Sequence, residues 1–178
     1  MNNDEIQLIQ PRLDMEHPFR DYINAFTSDT HIAGLGYLDA RVHNIPFISA
    51  ILQTQQAATG QAGQHDLTPR TTLWLINTQN QILGSIDFRH NLNGTRAVWG
   101  GNIGFSVHPN HRRKGYATIM LDHIKQCAKS HKLTRLLITT DLGNIPSANL
   151  IKNCGGKYDT TVNVPERNLK VERYWINL

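Results

Sequence analysis

Residues 102 to 117 read Asn102-Ile-Gly-Phe-Ser-Val-His-Pro-Asn-His-Arg-Arg-Lys-Gly-Tyr-Ala117, and this stretch decides the fold of the chain. At its start, apolar residues alternate with smaller ones as in a β-strand, at Ile103, Phe105 and Val107. From its end onward, apolar residues recur at helical spacing, at Ala117, Met120, Leu121, Ile124 and Ala128. The pattern therefore predicts a strand that ends at Pro109, a short basic loop, and a long helix.

The loop between this strand and this helix has the properties of an anion site. The first backbone N–H groups of a helix have no partner within the helix and carry the positive end of its dipole. Gly115 has no Cβ, so the backbone there can approach a ligand closely. Three cationic residues, Arg112, Arg113 and Lys114, lie at the same place. Together these features predict a phosphate-binding site.

Length and composition favour a single domain of residues 1 to 178, with 39% hydrophobic residues and no proline- or serine-rich linker. The chain has no apolar run of about 18 residues and no signal-like start, so we expect a soluble, cytoplasmic protein without a membrane partner. Its 18 Lys+Arg against 14 Asp+Glu give a net charge of +4, which favours an anionic ligand. Because long basic runs are missing, no nucleic-acid partner is expected.

The histidines and cysteines do not predict a metal site. His108 and His111 have a spacing that some metal sites use, but a proline and an asparagine form a turn between them. No Cys, Asp or Glu nearby completes a set of ligands, so we interpret both as surface histidines of a turn. Cys127 and Cys154 form neither a disulfide framework nor a ligand pattern, and we interpret them as small, buried residues.

The remaining patterns predict the element order strand, two helices, three antiparallel strands, helix, strand, helix and two strands. The elements predicted before the opening stretch are a strand at Ile6–Ile9, helices over about Met15–Phe26 and Ile45–Ala58, a polar loop at Thr59–Thr68, a hairpin of Thr71–Asn77 with Ile82–His90, and a strand entered at Ala97–Trp99. Those predicted after it are a buried parallel strand at Arg135–Thr140, a short helix over Asn144–Gly155, and a closing hairpin of Tyr158–Val164 with Leu169–Ile176.

At this point the chain resembles a known family. Arg112-Arg-Lys-Gly115-Tyr-Ala117 is similar to the phosphate motif of the GNAT superfamily, the acetyl-CoA-dependent N-acetyltransferases: Gln or Arg, any two residues, Gly, any residue, then Gly or Ala. Neighbouring elements follow at family-like distances over about residues 70 to 178, and several tracts resemble a bacterial subgroup of predicted acetyltransferases with unknown acceptor. The resemblance implies an α/β (α+β) fold, with a mixed, mostly antiparallel sheet of six to seven strands, splayed at a bulge and flanked by about four helices.

The resemblance also implies acetyl-CoA as the acetyl donor, and it assigns roles to matching residues. Backbone groups of Arg113 to Thr118 hold the pyrophosphate, while the strand around Phe105 pairs its main chain with the pantetheine arm. The Phe105 N–H then faces the thioester carbonyl and stabilises developing charge. Asn144 matches the position that hydrogen-bonds the cofactor arm, and capping of the short helix is its alternative role. The implied cofactor-binding residues are Phe105, Ser106, Val107, Arg112, Arg113, Lys114, Gly115, Tyr116, Ala117, Thr118, Asn144 and Ser147.

Two departures from the family pattern leave the acid and the base open. Members with a carboxylate base place it about four residues before Phe105, where this chain has Gly101. The tyrosine that protonates the leaving thiolate belongs seven residues after Asn144, where this chain has Ile151. Candidate replacements are His90 or Asp87 as the base and Tyr158 or Tyr174 as the acid, each with a structural role as the alternative. Positioning of the reactants can also supply about 7 kcal/mol or more of the barrier reduction.

The sequence thus predicts an acetyl-CoA-dependent N-acetyltransferase. It predicts direct attack by the primary amine of a small molecule or peptide in a ternary complex, without a covalent enzyme intermediate or a metal. The alternative is a non-catalytic acyl-CoA sensor or scaffold module, and nucleic-acid binding through the basic loop is a third reading. The acceptor, the length of the acyl group, and the choice between monomer and homodimer stay open.

Overall fold

The computed structural model describes residues 5–27, 31–39, 45–59 and 69–178. Within these residues the strands are β1 Gln7–Ile9, β2 Arg70–Ile76, β3 Ile82–Arg89, β4 Ile103–Val107, β5 Arg135–Asp141, β6 Lys157–Val164 and β7 Leu169–Asn177. The α-helices described there are α1 Glu16–Asn24, α2 Phe47–Ala58, α3 Tyr116–Ser130 and α4 Ile145–Asn153. The predicted element order is confirmed.

The strands form a mixed sheet in the order β1-β2-β3-β4-β5-β7-β6. β1 is antiparallel to β2, and β7 is antiparallel to both β5 and β6. β4 and β5 are parallel, with Ile103 opposite Ile138, as expected for two strands joined by a helical crossover. The predicted fold class, a mostly antiparallel α/β sheet with flanking helices, is confirmed.

The chain forms two compact units, of which the first comprises Met1–Phe88 and Gly104–Met120. In this unit α1 and α2 bury their apolar faces in one core with β2, and each of the three elements contributes an aromatic side chain to it, Phe19, Phe47 and Trp74. Phe19 stacks on Trp74 with ring centroids 5.3 Å apart, and it also contacts Phe47 at 5.5 Å. Burying such rings supplies the main stabilisation of this part of the molecule.

The second unit comprises Arg89–Ile103 and Leu121–Leu178. Its central strand β5 is apolar without alternation, and Leu136, Leu137 and Ile138 are fully buried, as predicted. On α3, the predicted stripe is buried at Leu121, Ile124 and Ala128, so the helical periodicity identified the packed face correctly. The expectation of one domain over residues 1 to 178 stays a prediction.

The prediction of a strand at Ala97–Trp99 is wrong. Arg96–Gly100 forms one turn of π-helix, hereafter the π-turn. Its end is set by Gly101, whose φ of +64° is favourable for glycine and returns its N–H to the carbonyl of Arg96 at 2.7 Å. A run of three apolar residues therefore carried less weight than the glycine that follows it.

Two predicted features fall partly outside the described residues. Residues 60–68 of the predicted polar loop and residues 28–30, which follow the first predicted helix, belong to the part that the structure does not describe. Both cysteines are half-buried rather than buried, and neither forms a disulfide. In the described ranges, no helix has the length and apolar content to cross a bilayer, and no cluster of three His, Cys, Asp or Glu is arranged to hold a metal ion.

Candidate active site

In β4, the main-chain N–H and C=O groups of the odd-numbered residues point away from β3. The N–H of His108 donates to the carbonyl of Leu83 at 2.9 Å, and the N–H of Arg89 donates to the carbonyl of Asn102 at 2.7 Å. In an antiparallel pair, hydrogen-bonded positions alternate along each strand. Even-numbered residues of β4 therefore face β3, whereas the main-chain groups of Phe105 and Val107 point to the other side. Residues 104–107 are half-buried.

Ser106 ties β4 to α1 and to the segment that follows α1. Its Oγ donates to the carbonyl of Ala33 at 2.6 Å, while the hydroxyl of Tyr22 lies 2.8 Å from the same Oγ and donates to the Ser106 carbonyl at 3.1 Å. Burial raises the pKa of Tyr22 above its ordinary value, so this phenol is neutral. Both the side chain and the carbonyl of Ser106 are therefore engaged within the protein, and its contact with a cofactor stays a prediction.

The segment after α1 approaches β4 backbone to backbone. Gly34 has a φ of +86°, and a Cβ built on it lies 2.6 Å from the carbonyl oxygen of Ser85 and 2.9 Å from that of Gly104. A Cβ on Gly104 lies 3.1 Å from the Gly34 nitrogen. This contact fixes the segment against the strand beside Phe105 and leaves no room for a side chain between them.

The loop before α3 is shaped as a cradle for an anion. Arg113 and Gly115 have positive φ values of 66° and 81°, and a Cβ built on Gly115 meets nothing within 4 Å. The first hydrogen bond of α3 runs from the N–H of Ile119 to the carbonyl of Gly115, at 3.1 Å. The N–H groups of residues 116–118 therefore precede the helical ladder, where anions bind favourably.

The charged side chains of this loop fit the same ligand. Residues 112–115 are all exposed, so the guanidinium groups of Arg112 and Arg113 and the ammonium of Lys114 can reach an anion from solvent. Arg112 lies over the ring of Phe26 at 5.9 Å, which holds its guanidinium beside the loop. Open space at glycine, N–H groups at a helix start, and three cations are the features that a pyrophosphate needs.

His108 and His111 flank the loop on its N-terminal side. The Nδ1 of His108 accepts the N–H of Asn110 at 3.2 Å, and the two rings lie edge to face with centroids 5.1 Å apart. Burial, followed by the charges of His111 and Arg112, lowers the pKa of His108. Burial, followed by the charge of Lys114, lowers the pKa of His111. Both imidazoles therefore resist protonation in the free protein.

Asn144 has the capping role that was its alternative reading. It precedes α4, and its side-chain oxygen accepts the N–H of Ser147 at 3.3 Å. Asn144 is exposed and its amide nitrogen carries two further donors, so the cap does not prevent contact with a cofactor. Ser147 is half-buried one turn into the same helix.

The structure explains both departures from the family pattern. A Cβ on Gly101 lies 2.8 Å from the carbonyl oxygen of Leu137, so no side chain fits at the position to which the resemblance assigned a carboxylate base. Ile151 is fully buried, and its backbone and side chain lie within 3.1 Å of a Cβ built on Gly156. Ile151 is thus a packing residue, with no acid chemistry.

Side chains from distant parts of the sequence hold the π-turn. Arg89 donates to the carbonyls of Gly100 and Gly101, both at 3.1 Å, and Thr139 donates to the carbonyl of Trp99 at 2.7 Å. Arg173 donates to the carbonyls of residues 97 and 98, which completes a run of bonded carbonyls from residue 97 to residue 101. Five consecutive carbonyls are therefore each hydrogen-bonded by a side chain. Single π-turns are rare and recur at functional sites.

The candidate base His90 lies directly after β3 and packs against the C-terminal end of α3. Its side chain is 8% exposed, and its ring centroid is 4.0 Å from that of His131. His131 follows the last residue of α3, and its Nδ1 lies 2.9 Å from the carbonyl of Cys127. The imidazole of His90 therefore contacts a second imidazole at the end of the helix opposite to the basic loop.

The second candidate base, Asp87, is buried inside the first unit. It accepts a hydrogen bond from Thr72 at 3.0 Å, and Arg70 lies 3.6 Å from its other oxygen. Both charged side chains are less than 8% exposed, and Arg70 also covers the ring of Tyr37 at 4.5 Å. A carboxylate held in a buried ion pair has its charge balanced locally, which favours a structural role for Asp87.

The two candidate acids lie together in the β6–β7 hairpin. The ring of Tyr158, which is 55% exposed, meets that of the buried Tyr174 edge to face at 5.8 Å. The hydroxyl of Tyr158 lies 2.8 Å from Thr161 Oγ1, whereas that of Tyr174 donates to Glu172 at 3.1 Å. Burial, then the hydrogen bond and charge of Glu172, raise the pKa of Tyr174. The Tyr174 phenol therefore holds its proton more firmly than an ordinary tyrosine, and its buried side chain is more fixed than that of the exposed Tyr158.

The predicted site residues divide between the two units. Phe105 to Thr118 belong to the first unit, and His90, Asn144, Ser147, Tyr158 and Tyr174 belong to the second. Residues that the sequence did not single out are Tyr22, Arg89 and Arg173, whose hydrogen bonds to Ser106 and to the π-turn and Gly101 join positions 11 or more apart in the chain. The cavity of about 350 Å³ at the end of β5 contains none of the predicted site residues and is lined by Asp141, Leu142, Asn163, Asn168, Leu169 and Lys170.

The mixed sheet, with a strand, a glycine-containing basic loop and a helix in succession, is the fold to which the comparisons with known proteins apply. The model of the acetyltransferase (GNAT) family matches residues 20–155. The chain therefore belongs to the GNAT acetyltransferase family, and the expected family and enzyme class are confirmed. No curated protein matches the sequence significantly.

Solved structures with the same fold are distant in sequence. A protein described as a probable acetyltransferase has 14% identity and a TM-score of 0.72, covering 98% of this chain and 94% of its own. The dodecameric spermidine N-acetyltransferase from Vibrio cholerae has 14% identity and a TM-score of 0.64, covering 98% and 95%. The GNAT domain of PAT from S. lividans has 13% identity and a TM-score of 0.62, covering 97% and 89%. At such identities the likeness concerns the fold alone.

Proposed function

We propose that this protein is an acetyl-CoA-dependent N-acetyltransferase in which a primary amine attacks the thioester directly. The observation that carries the donor is the loop of residues 112–117, with open space at Gly115, three cations, and N–H groups at the start of α3. Membership in the GNAT family supports acetyl transfer. The coenzyme would supply a thioester-activated acetyl group, and the residues of this chain would bind and orient it.

On this proposal each part of the loop has a distinct task. Backbone N–H groups of residues 113–118 hold the pyrophosphate, and Arg112, Arg113 and Lys114 balance its charge. The main chain of Phe105 and Val107, which points away from β3, pairs with the amide-rich arm as an added strand. The Asn144 amide donates to the same arm while its oxygen continues to cap α4.

The transfer step needs a nucleophilic amine, a stabilised carbonyl oxygen and a proton for the departing sulfur. The new C–N bond forms as the C–S bond breaks, the ammonium proton leaves to a base or water, and the thiolate takes up a proton. The Phe105 N–H is the proposed donor to the carbonyl oxygen. His90 is the proposed base, Tyr158 or Tyr174 the proposed acid, and positioning of the two substrates supplies the larger part of the rate.

Cofactor binding is tested with a pair of glycine variants. Gly115→Ala adds a methyl group where the phosphates approach, and Gly155→Ala adds one at a φ of +94° that is equally open but lies at the end of α4. We expect calorimetry with acetyl-CoA to give a dissociation constant about 10-fold weaker for Gly115→Ala, equivalent to ~1.4 kcal/mol, and an unchanged one for Gly155→Ala. Equal weakening in both variants, or no binding to the wild type at millimolar acetyl-CoA, would refute the donor.

Turnover separates an enzyme from the alternative, a sensor that binds acyl-CoA without transferring it. That alternative is favoured by one observation, the absence of space for a base at Gly101. Release of free thiol from acetyl-CoA, measured across amino acids, polyamines, aminoglycosides and peptide N-termini, reports transfer to any of them. Saturable turnover with one amine class excludes the sensor. Tight cofactor binding with no turnover on the whole panel would favour the sensor instead.

A further inference from the structure

His111 and His108 are the groups beside the loop that have no task in the proposed transfer. They lie on the short turn Pro109–His111, immediately before Arg112. The N–H of His111 donates to the carbonyl of His108 at 2.8 Å, which closes this turn. The two rings meet edge to face at 5.1 Å, so any change of charge on one is felt by the other.

The hydrogen bond that His108 accepts identifies it as the member of the pair that stays neutral when an anion binds. Its Nδ1 accepts the N–H of Asn110 at 3.2 Å, so the ring proton lies on Nε2. A second proton on Nδ1 would remove this acceptor and leave the N–H of Asn110 without it. His108 is also 8% exposed, which makes a charge there costly. His111, which is half-buried, is the ring that can accept a proton from solvent.

The described groups that face this pair are cationic or neutral. Lys114 and Arg112 act on it from the loop, and His108 and His111 act on each other within the turn. From α1, Tyr22 packs on His108 with centroids 6.1 Å apart, and its buried phenol is neutral. In the free protein, burial and then Lys114 lower the pKa of His111, so this ring is neutral at pH 7. A bound polyanion would reverse the sign of the local field.

We propose that His111 is a further ligand for an anionic group of coenzyme A and that it takes up a proton when the cofactor binds. The inference rests on the proposed function, because it needs the cofactor at the loop. The proton comes from solvent to a ring nitrogen, and no covalent bond forms. The resulting imidazolium adds a fourth positive charge to those of Arg112, Arg113 and Lys114 and donates a charge-assisted hydrogen bond to phosphate.

The sign of the pH dependence follows from this order of events. Binding raises the pKa of His111 relative to the free protein, so the added affinity is fully present below the free-state pKa. It declines as the pH rises and is lost above the bound-state pKa. Across pH 6 to 8 we therefore expect the affinity of the wild type for coenzyme A to fall more steeply than that of a variant without this imidazole.

Proton uptake is measured by calorimetry of coenzyme A binding at pH 7 in two buffers with different ionisation enthalpies. The wild type is compared with His111→Gln, and His17→Gln is the matched control, since His17 is exposed on α1 and contacts Asp21 at 3.1 Å. The phosphates of coenzyme A titrate in every experiment, so the difference between variants isolates His111. We expect less proton uptake and a flatter pH profile of affinity for His111→Gln, with wild-type behaviour for His17→Gln.

A measurement on the wild-type protein removes dependence on the fold of a variant. The ring resonances of His111, followed by NMR over pH 5 to 9, should titrate at higher pH when coenzyme A is present. Equal proton uptake by the wild type and His111→Gln, or an unchanged titration of His111 in the complex, overturns the inference while leaving the proposed donor intact. Failure of coenzyme A to bind any of the three proteins overturns the proposed donor and this inference together.

Discussion

The backbone at Gly101 turns with a φ of +64°, and a Cβ built there lies 2.8 Å from the carbonyl oxygen of Leu137. The neighbouring atoms are backbone and cannot move aside cheaply. The position to which the resemblance assigned a carboxylate base is therefore closed in this protein by geometry, since any residue other than glycine meets both the clash and the unfavourable φ.

Gly101→Glu tests whether this position is closed. We expect it to lower the free energy of unfolding by about 1–3 kcal/mol and to bring no gain in acetylation rate, because the carboxylate cannot occupy a base position without displacing β5. Urea unfolding measures the first effect and thiol release the second. Gly94→Ala is the control, because Gly94 has a φ of +49° with open space around it. A stable Gly101→Glu protein with a faster rate would contradict the prediction.

Tyr158 and Tyr174 differ in a way that a pH profile can reveal. Because burial and Glu172 raise the pKa of Tyr174 above the ordinary 10.0, its phenol keeps its proton throughout the assay range and is lost as a donor only above that value. If Tyr174 protonates the thiolate, Tyr174→Phe lowers kcat by about 100-fold or more with KM unchanged, and the wild-type rate does not fall as the pH is raised to 9. Tyr158→Phe then has little effect. A larger loss in Tyr158→Phe would transfer the role to Tyr158.

Sequence reasoning was strongest for elements with a local signal. Alternation at Ile103, Phe105 and Val107 and the helical stripe from Ala117 were sufficient to predict β4 and α3, because both patterns arise within a few residues. The loop between them was recognisable for the same reason. The sequence also predicted the parallel neighbour β5, since an apolar run without alternation indicates burial on both faces.

The π-turn escaped prediction because its determinants are distant in the chain. Arg173 donates to Ala97 and Val98 across more than 70 residues, and Arg89 lies before the turn. No periodicity within Arg96–Gly100 encodes these contacts. The same holds for the bond between Tyr22 and Ser106, which spans 84 residues. Such long-range polar pairs explain why the elements were predictable and the residues that orient them were not.

The structure predicts that Arg173 stabilises the π-turn. Arg173→Met keeps much of the side-chain volume but removes the donors to two carbonyls and the 2.9 Å pair with Asp159. We expect the free energy of unfolding to fall by about 1.5–3 kcal/mol, as for hydrogen bonds to charged groups. Arg167→Met serves as the comparison, because Arg167 is exposed and only covers the ring of Trp99 at 5.1 Å, a contact worth about 0.5–1 kcal/mol. Equal losses in urea unfolding would contradict this assignment.

Cofactor binding and stability are linked through the whole molecule. A ligand that binds only the folded state adds about 2.7 kcal/mol to the free energy of unfolding at 100 times its dissociation constant. We expect coenzyme A at that concentration to raise the free energy of unfolding of the wild type by this amount, measured by urea unfolding, and to raise that of Gly115→Ala less. An identical increase in both proteins would mean that coenzyme A binds away from the loop.

The net charge of +4 and the oligomeric state are both properties of the whole molecule. A cofactor rich in phosphate should bind less tightly as the salt concentration rises, since the exposed cations at Arg112 to Lys114 are screened.

One structural neighbour is a dodecamer, whereas a monomer or homodimer is the prediction for this chain. Light scattering of the purified protein, with and without coenzyme A, measures the state directly.

The contact between Gly34 and Gly104 limits how this enzyme can be redesigned. Every amino-acid replacement of glycine adds at least one carbon, and at Gly34 that carbon lies within 3 Å of three backbone atoms. No other residue fits at this position, because even alanine, the next larger residue, adds the carbon that clashes. Neither natural variation nor a laboratory library can therefore change this junction by a small step. A directed-evolution experiment for new acceptors should keep positions 34 and 104 as glycine and randomise the half-buried residues around them. Deep mutational scanning should accordingly show that no substitution is tolerated at position 34, whereas substitutions a few residues away are tolerated.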